Sequence, residues 1–377
     1  MYARILEPPG RHSFFLFGPR CVGKTAWVRG ALPGAQYFDL LDHGLYASLL
    51  AAPERLGEMI GAGHRDWVVI DEVQRVPELL NEVHRLIESR KLRFVLTGSS
   101  ARKLRRRGVN LLAGRALTRF MHPLTAIELG EDFDVERALR RGTLPAAWTH
   151  DDPAAYLRSY VATYLREEVQ QEGIARNIAA FARFLEAASF SQASVLNVAS
   201  VARDCGVAAK VAHDYFSILE DLLVAVRVPV FAKRAKRKLT THSKFFYFDA
   251  GVFQAIRPRG PLDPPGDILG AAIETLFLQQ LRAVNDAHEL GYGIHTWRTH
   301  AGDEVDFVLY GERGLIAFEV QRASNVRRED LDGLRLFRED YPAAKTYLVH
   351  LGTRRWHESG VEIVPMNECL ASLDQWL

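Results

Sequence analysis

One eight-residue segment near the start of the chain has the residue types and the spacing of a phosphate-binding loop. It consists of Gly18, Pro19, Arg20, Cys21, Val22, Gly23, Lys24 and Thr25. Glycines let successive backbone N–H groups turn towards an anion, and the positive end of a following helix adds to that attraction. The apolar run at residues 14–17 is typical of a buried parallel strand, and a helix is expected over residues 24–30. The segment therefore predicts an ATP site in which all eight residues hold the nucleotide.

Two residues of this loop have the chemistry for more specific roles. The Lys24 ammonium is expected to reach the β- and γ-phosphates, and the Thr25 hydroxyl is expected to ligate Mg²⁺. A chance glycine-containing loop is the alternative interpretation. The strand expected before the loop and the helix expected after it count against that alternative.

Two adjacent carboxylates follow a second apolar run, at residues 67–70. Such a strand would place Asp71 beside the phosphate-binding loop, where its carboxylate can hold the water shell of Mg²⁺. Glu72 would then polarise the attacking water as a general base. The pair favours a hydrolase over a kinase, which must exclude water, whereas an acidic turn after a buried strand is the structural alternative.

A third apolar run, at residues 93–96, ends in Thr97-Gly98-Ser99-Ser100. In P-loop ATPases with an added strand between the loop strand and the acidic strand, this neighbouring strand ends in a polar sensor. Ser99 is the first candidate to orient the water or report the γ-phosphate, and Thr97 is the second. A plain Gly-Ser turn after a strand explains the same residues equally well.

A basic segment precedes the last predicted strand of this region, at residues 116–121. Arg115 lies directly before that strand, where an arginine can stabilise phosphate charge in its own or in a neighbouring subunit. The second role would require a homo-oligomer. The run Arg105-Arg106-Arg107 is a candidate nucleic-acid contact, and a solvated basic loop is the alternative for the whole segment.

Together these segments resemble a widespread bacterial and archaeal family, the AAA-superfamily ATPases that carry a C-terminal domain of unknown function. The resemblance is carried by Phe17-Gly18-Pro19-Arg20, Val22-Gly23-Lys24-Thr25, Ile70-Asp71-Glu72-Val73-Gln74, Leu96-Thr97-Gly98-Ser99-Ser100 and Ala113-Gly114-Arg115. It covers nearly the whole chain and implies binding and hydrolysis of ATP with Mg²⁺. It does not define the physiological role.

The middle of the chain, residues 149–257, is expected to form a helical linker and a winged-helix domain. The expected elements are a helix start at Asp151-Asp152-Pro153, a helix over residues 198–204, a turn at Cys205-Gly206-Val207, a helix over residues 208–223 and strands over residues 223–231 and 244–248. Two short helices followed by two strands that flank a basic loop are the order of a helix-turn-helix with a wing.

The expected wing is basic, which raises double-stranded DNA as a partner. Its residues are Lys233, Arg234, Lys236, Arg237, Lys238 and Lys244. In a DNA-binding winged helix, the second helix docks in the major groove while basic groups hold phosphates. That helix begins Ala208-Ala209-Lys210-Val211-Ala212, which offers few side chains able to read bases. Winged helices in such ATPases also act as lids or protein contacts, so a protein partner stays open.

The last third of the chain combines a helix and three strands around acidic residues. The helix over residues 269–284 carries Glu274, and strands are expected over residues 293–298, 304–309 and 315–321. Asp306 and Glu319 are 13 residues apart on adjacent expected strands, and Glu319 shares a strand face with Gln321. This pattern resembles the restriction-endonuclease-like fold, in which Glu274, Asp306 and Glu319 would bind Mg²⁺ and activate water against a phosphodiester.

The pattern departs from an active nuclease at one position. Gln321 stands where that fold has a lysine, and a glutamine carries no charge to stabilise a transition state. The alternative is a degenerate nuclease-like fold retained for assembly or for nucleic-acid binding.

The expected fold is α/β throughout. A P-loop NTPase parallel sheet occupies residues 1–148, the helical and winged-helix domain residues 149–257, and a restriction-endonuclease-like α/β domain residues 266–377, after a Pro/Gly-rich linker.

The composition excludes several classes of protein. A hydrophobic content of 48% with 25% charged residues excludes a disordered chain, and the formal net charge of +2 indicates no partner. Three scattered cysteines are too few for a disulfide framework and fit a reducing cytosol. No apolar run approaches the roughly 18 residues of a membrane span, and no secretory signal is expected. The sequence therefore predicts a cytoplasmic protein.

Three functions remain open on this basis. The first is an ATPase switch whose nucleotide state changes how the later domains engage a partner such as DNA. The second is an ATP-regulated DNA nuclease, against which Gln321 argues. The third is a DNA-binding regulator in which ATP only stabilises one conformation, against which Glu72 argues.

Overall fold

The protein is described by a computed structural model that covers residues 2–99, 112, 114–165, 178–233, 237–261 and 263–377. The chain divides into two compact units. The N-terminal unit comprises Leu6–His122 with Asp221–Leu223, and the C-terminal unit comprises Met1–Ile5, Pro123–Glu220 and Val224–Leu377. The sequence placed the first domain boundary at residue 148, whereas the boundary between these units lies between residues 122 and 123.

The N-terminal unit is built on a five-stranded sheet in the order β2-β3-β4-β1-β5, and its neighbouring strands all pair in parallel. The strands are β1 (Ser13–Phe17), β2 (Gln36–Asp39), β3 (Trp67–Asp71), β4 (Arg93–Gly98) and β5 (Ala116–Phe120). The prediction of a parallel α/β sheet is confirmed, with β4 between the loop strand β1 and the acidic strand β3. The carboxyl ends of these three strands therefore meet at one edge of the sheet.

Helices cover the sheet of this unit, which explains why its central strands are continuous apolar runs. The helices are α1 (Lys24–Ala31), α2 (His43–Ala51), α3 (Arg55–Met59) and α4 (Leu79–Arg90), with a 3₁₀ turn over Val73–Arg75. Strands β1 and β3 are buried along their whole length. The apolar face of α4, which includes Leu80 and Val83, packs into the same core. The sequence analysis missed α2, although Asp42 marks its start by accepting a hydrogen bond from Leu45 N at 2.7 Å.

The C-terminal unit begins with short helices. They are α5 (Ala126–Leu129), α6 (Val135–Arg141), α7 (Pro145–Thr149) and α8 (Pro153–Ser159), with a 3₁₀ turn over Gly130–Asp132. The predicted helix start is confirmed, because Pro153 opens α8 and the Asp152 side chain accepts a hydrogen bond from Ala155 N at 2.9 Å. A π-helical turn over Tyr160–Leu165 follows, and Leu157 and Tyr160 are buried.

A small antiparallel sheet with three helices forms the next part of this unit. Its elements are α9 (Ile178–Ser189), β6 (Ser194–Val195), α10 (Val198–Asp204), α11 (Ala209–Asp221), β7 (Ala225–Val228) and β8 (Lys244–Tyr247). The strand order is β6-β8-β7, with β8 in the centre. Phe216 packs edge-to-face on Phe184 and Phe245, with ring centroids 4.8 and 5.1 Å apart, and so joins α9, α11 and β8. The order of helices and long strands follows the prediction, and only the two-residue β6 was missed.

A six-stranded sheet in the order β13-β14-β12-β11-β10-β9 completes the C-terminal unit. The strands are β9 (Gly293–Arg298), β10 (Glu304–Gly311), β11 (Gly314–Gln321), β12 (Lys345–His350), β13 (Trp356–Glu358) and β14 (Val361–Pro365). The helices are α12 (Ala250–Ile256), α13 (Pro265–Ala287), α14 (Asp332–Asp340), α15 (Met366–Ala371) and α16 (Leu373–Trp376), with a 3₁₀ turn over Arg328–Leu331.

The β13–β14 hairpin was missed by the sequence analysis, although its turn carried a signal. Ser359 and Gly360 connect the strands, with φ values of 53° and 79°. Two-residue hairpin turns of this kind need positive φ at both positions, which favours glycine. Among the described residues, no helix is long and apolar enough to cross a membrane.

Asp249 connects α12 to the segment that follows α6. Its carboxylate accepts hydrogen bonds from Val252 N at 2.9 Å and from Thr143 N at 2.8 Å. Gly142 has a φ of +66°, and a Cβ there would lie 2.0 Å from Asp249 Oδ1, so only glycine fits. Burial raises the pKa of Asp249 to about 6, although its backbone N–H donors oppose that rise.

This raised pKa predicts how stability depends on pH. Unfolding returns the Asp249 pKa to its ordinary value of 3.8, so the folded protein binds the proton more tightly than the unfolded chain between 3.8 and about 6. The stabilising contribution is complete below 3.8 and is lost as the pH rises through about 6. The total is about 3 kcal/mol for such a shift. We expect the stability difference between the wild type and Asp249→Asn to change by this amount between pH 4 and pH 7 in urea unfolding. A difference that is constant with pH would contradict the assignment.

Candidate functional site

The phosphate-binding loop lies between β1 and α1, as predicted. Cys21 and Gly23 adopt left-handed backbone angles, with φ of 62° and 95°. A Cβ at Gly18 would lie 2.3 Å from the Met121 carbonyl oxygen, so no other residue fits against the backbone that follows β5. Lys24 is only 7% exposed, and its Nζ donates to the carbonyl oxygens of Gly18 at 2.7 Å and Pro19 at 3.0 Å. The ammonium is thus held over the loop by these two carbonyl oxygens.

Asp71, at the end of β3, is a buried carboxylate that joins three elements of the N-terminal unit. It is 4% exposed, and Thr25 Oγ1 of α1 donates to its Oδ2 at 2.8 Å. The Tyr37 hydroxyl of β2 donates to the same oxygen, and Thr97 Oγ1 of β4 donates to Oδ1. Burial and the Asp71 carboxylate raise the pKa of Tyr37, so its hydroxyl keeps the proton that it donates. The sequence analysis named Asp71, Thr25 and Thr97 but missed Tyr37.

The adjacency of Thr25 and Asp71 fits a bound Mg²⁺. A hydroxyl and a carboxylate oxygen 2.8 Å apart are hard oxygen donors of the kind that Mg²⁺ prefers. Both lie at the carboxyl edge of the sheet, where the phosphate-binding loop also lies. The residues present can therefore hold the ion together with nucleotide phosphates.

Glu72 and Ser99, the predicted general base and sensor, are joined through Gln74. The Gln74 Nε2 donates to Glu72 Oε2 and to Ser99 Oγ, the latter at 3.2 Å. Gln74 is buried over Gly98, where a Cβ would lie 2.6 Å from the Gln74 amide oxygen. Glu72 N in turn donates to Thr97 Oγ1 at 3.3 Å. The structure thus brings the three predicted polar groups into one network together with Gln74, for which the sequence predicted no role.

Arg115 does not join this network within its own chain. Strand register pairs Ala116 with Ser13 and Phe120 with Phe17, so Arg115 lies at the amino end of the sheet. The phosphate-binding loop follows Phe17, at the opposite end of β1, about 13 Å away along a strand of this length. Arg115 Nε instead contacts Glu88 Oε1 at 2.5 Å and lowers the pKa of that carboxyl. A role of Arg115 at the nucleotide of its own or of a neighbouring subunit stays a prediction.

The predicted basic surfaces are only partly described. Of the described wing residues, Lys233, Arg237 and Lys244 contact other residues of the C-terminal unit, and Lys238 is exposed. Residues 105–107, 234 and 236 lie outside the described residues. Arg237 contacts Glu339 at 2.8 Å and Asp340 at 3.1 Å, and Lys233 Nζ lies 4.1 Å from the centre of the Tyr310 ring. Lys244 is 3% exposed. The expectation that Lys244 holds a DNA phosphate on an exposed wing is therefore wrong, because the side chain is buried.

The C-terminal carboxylates surround that buried lysine. Lys244 Nζ lies 3.0 Å from Asp306 Oδ1 and 3.2 Å from Glu274 Oε2, and it also contacts Glu304. Asp306 on β10 accepts a hydrogen bond from Val320 N on β11 at 3.0 Å, which places it next to Glu319. The structure thus brings the predicted acidic residues together, but it adds Lys244 and Glu304, which the sequence analysis did not include.

This arrangement does not fit the predicted Mg²⁺ site of a nuclease. Among the described residues, no group of three or more His, Cys, Asp or Glu side chains is arranged to hold a metal ion. The Lys244 ammonium lies between Glu274 and Asp306, two of the carboxylates that would be ligands of the Mg²⁺ ion. Gln321 ends β11 and is half-buried. Because its side chain is neutral, it does not supply the charge that a lysine would carry at this position. Burial and the Asp306 charge raise the pKa values of Glu274 and Glu319.

Comparison with known protein families assigns the first part of the chain. Residues 10–130 match the family model described as an AAA domain. The chain carries an AAA-superfamily P-loop domain. Residues 132–263 and 269–369 match two models described as domains of unknown function, DUF8612 and DUF4143. The resemblance to AAA-superfamily proteins with C-terminal domains of unknown function is thus confirmed, whereas the restriction-endonuclease-like fold stays a prediction.

Two curated relatives extend over nearly the whole chain. Uncharacterized proteins of Mycobacterium tuberculosis and Mycobacterium bovis are each 28% identical over an alignment of 378 positions, and the matches cover 96% of this chain and 82% of theirs. Among solved structures, the Aeropyrum pernix ORC1 protein in complex with DNA covers 72% of this chain and 88% of its own, with 15% identity and a TM-score of 0.28.

The position of Lys24 predicts the effect of removing it. We expect Lys24→Ala to abolish ATP binding, because the ammonium that the AAA domain holds over its loop is the charge that meets the phosphates. Titration with a fluorescent ATP analogue measures this. Lys91→Ala, at an exposed lysine whose Nζ lies 3.7 Å from Glu88, is the matched control and should bind normally. If Lys24→Ala binds ATP as tightly as the wild type, the segment from Gly18 to Thr25 is not the phosphate-binding loop.

The Tyr37 hydroxyl gives a separate prediction about stability. Tyr37→Phe removes one donor from the buried Asp71 carboxylate, which should lower the free energy of unfolding by about 2 kcal/mol. Thermal unfolding of the nucleotide-free protein measures the loss. Tyr46→Phe is the control, because Tyr46 contacts the Arg75 guanidinium through its ring, 4.5 Å from the ring centre. Equal melting temperatures for the two variants would mean that the Tyr37 hydroxyl does not stabilise Asp71.

Proposed function

We propose that this protein binds and hydrolyses ATP with Mg²⁺ and acts as a nucleotide-dependent switch. The observation that carries the proposal is the convergence of the phosphate-binding loop, Asp71, Glu72 and Ser99 at the carboxyl edge of one parallel sheet. The match of residues 10–130 to an AAA domain supports nucleotide binding independently of that geometry.

The loop residues would perform the binding step. Backbone N–H groups between Gly18 and Thr25, other than at Pro19, would bind the phosphates at the start of α1. The Lys24 ammonium, which contacts the Gly18 carbonyl oxygen, would supply positive charge to the β- and γ-phosphates. Thr25 and Asp71 would hold Mg²⁺, which when bound neutralises developing charge on the phosphates. Thr97 and Tyr37 keep the Asp71 carboxylate oriented for that contact.

Glu72 would perform the proton-transfer step. Its carboxylate accepts the proton of the attacking water, and Ser99 orients that water or reads the γ-phosphate. Gln74 contacts both side chains, so we assign it as a positioning residue that links the base to the sensor. Release of the Gln74 amide from Glu72 would make the carboxylate available when nucleotide is bound.

We propose that α10, α11, β7 and β8 form a winged helix, and that this module contacts the partner of the switch. Double-stranded DNA and a protein partner both suit such a module. Arg237 and Lys233 contact other residues of the C-terminal unit, and Lys238 is exposed, so both kinds of partner stay open. A homo-oligomer would give Arg115 a neighbouring nucleotide to reach.

The three cysteines are free thiols, which supports a reducing, cytoplasmic location.

Substitution of the proposed general base tests this function. We expect Glu72→Gln to keep ATP binding and to lose at least about 100-fold in hydrolysis, because the amide cannot accept the proton of water. Phosphate release with Mg²⁺ measures turnover, and Glu58→Gln, at an exposed position of α3, is the matched control. Unchanged turnover in Glu72→Gln would mean that another residue activates the water.

The same assay with and without double-stranded DNA addresses the partner. Stimulation of hydrolysis with the DNA left intact would support a DNA-responsive switch. Cleavage that Asp306→Ala abolishes would support the nuclease alternative instead. Hydrolysis that does not respond to DNA would favour a protein partner.

A further inference from the structure

The buried ammonium of Lys244 contacts carboxylates that belong to other elements of the C-terminal unit. Lys244 begins β8, Glu274 lies on α13, and Glu304 and Asp306 lie on β10. The Nζ lies 3.0 Å from Asp306 and 3.2 Å from Glu274, and it contacts Glu304 as well. One lysine side chain thus bridges three acidic groups on two elements that are distant from it in sequence.

The charges at this site require a cation. Buried carboxylates are costly unless a metal ion, a basic group or protons neutralise them. Arg298 Nη1 lies 3.3 Å from Glu304 at the exposed rim, so Lys244 is the cation at the centre. Burial alone would lower the pKa of Lys244, but the three carboxylates outweigh it and raise that pKa. The lysine is therefore charged at neutral pH.

Glu319, on the strand next to Asp306, belongs to the same acidic group. Its Oε2 is buried and has no hydrogen-bond partner among the described residues. The Lys244 ammonium thus supplies positive charge to this cluster through direct contacts with Glu274, Glu304 and Asp306.

We propose that Lys244 is the built-in cation of the Glu274, Glu304, Asp306 and Glu319 cluster and takes the place of a divalent metal ion. The cluster is then an ionic cross-link between β8 and the six-stranded sheet, and it is not a metal-dependent nuclease centre. This inference goes beyond the ATPase function and does not depend on it.

The backbone around Lys244 supports a cross-linking role. Lys244 pairs with Val228 at the end of β7, and the chain that follows β7 runs along β9 of the six-stranded sheet. Phe231 N donates to Thr296 O at 2.7 Å, and Thr296 N donates to Pro229 O at 2.9 Å. The two sheets therefore already meet by backbone hydrogen bonds, and the lysine adds a buried ionic contact at the same junction.

Size and charge also argue against a metal ion beside this lysine. Mg²⁺ needs oxygen ligands at about 2.1 Å in octahedral geometry, and an ammonium within hydrogen-bonding distance of the same oxygens repels it. Gln321 lacks the charge that an active nuclease carries at its position.

The test compares Lys244→Met with the wild type in nucleotide-free buffer. Methionine has a side chain of nearly the same length as lysine but no charge, so the carboxylates lose their cation. We therefore expect the melting temperature of the variant in EDTA to be lower by roughly 10 °C. Mn²⁺ or Mg²⁺ should restore much of that loss in the variant and leave the wild type unchanged. Binding of Mn²⁺, measured by electron paramagnetic resonance, should appear only in the variant.

Further variants keep the proposal falsifiable if Lys244→Met folds poorly. Lys244→Met combined with Glu274→Gln and Asp306→Asn removes the uncompensated charge, and we expect it to recover stability in EDTA without binding Mn²⁺. Nucleotide-independent Mn²⁺ binding by the wild type that Asp306→Asn removes would overturn the proposal. An unchanged melting temperature of Lys244→Met in EDTA would overturn it as well.

Discussion

The N-terminal unit depends on the burial of one carboxylate, that of Asp71. An ionised carboxylate is tolerated in a protein interior only when hydrogen bonds replace its water. Here hydroxyl groups of Thr25, Tyr37 and Thr97 do so, and each comes from a different element. The requirement that these donors converge sets the relative positions of α1, β2 and β4 around β3. The same carboxylate faces the phosphate-binding loop, so the interaction that orders the edge of the sheet also prepares it for a metal ion and phosphates.

The C-terminal unit meets the same physical problem in a different way. Its carboxylates lie on α13, β10 and β11, where they are too many for hydroxyl donors to satisfy. A lysine from β8 supplies positive charge there through direct contacts with Asp306 and Glu274. Asp71 is thus placed so that an external cation can approach, whereas Asp306 already faces one from its own chain. This difference separates the proposed ATPase centre from the proposed structural cluster.

Much of the fold could be predicted because its signals are local. Buried parallel strands such as β1 and β3 are continuous apolar runs, and helices such as α8 and α10 begin at residues whose side chains cap them. The elements that were missed carry weaker signals. Strand β6 has two residues, and the β13–β14 hairpin depends on the Ser359-Gly360 turn. The boundary between the two units, between residues 122 and 123, has no local sequence signal, because it depends on which packed surfaces contact one another.

The sequence by itself determined the chemistry of the phosphate-binding loop and the presence of Asp71, Glu72 and Ser99, because their spacing follows from strand and helix geometry along a continuous stretch of chain. Only the tertiary structure decided what surrounds them. Tyr37 and Gln74 reach Asp71 and Glu72 through side-chain packing, and strand register sends Arg115 to the far end of the sheet. Lys244 is the clearest case. In the sequence it is one of several basic residues near a predicted wing, and only the meeting of β8 with α13 and β10 places its charge among buried carboxylates.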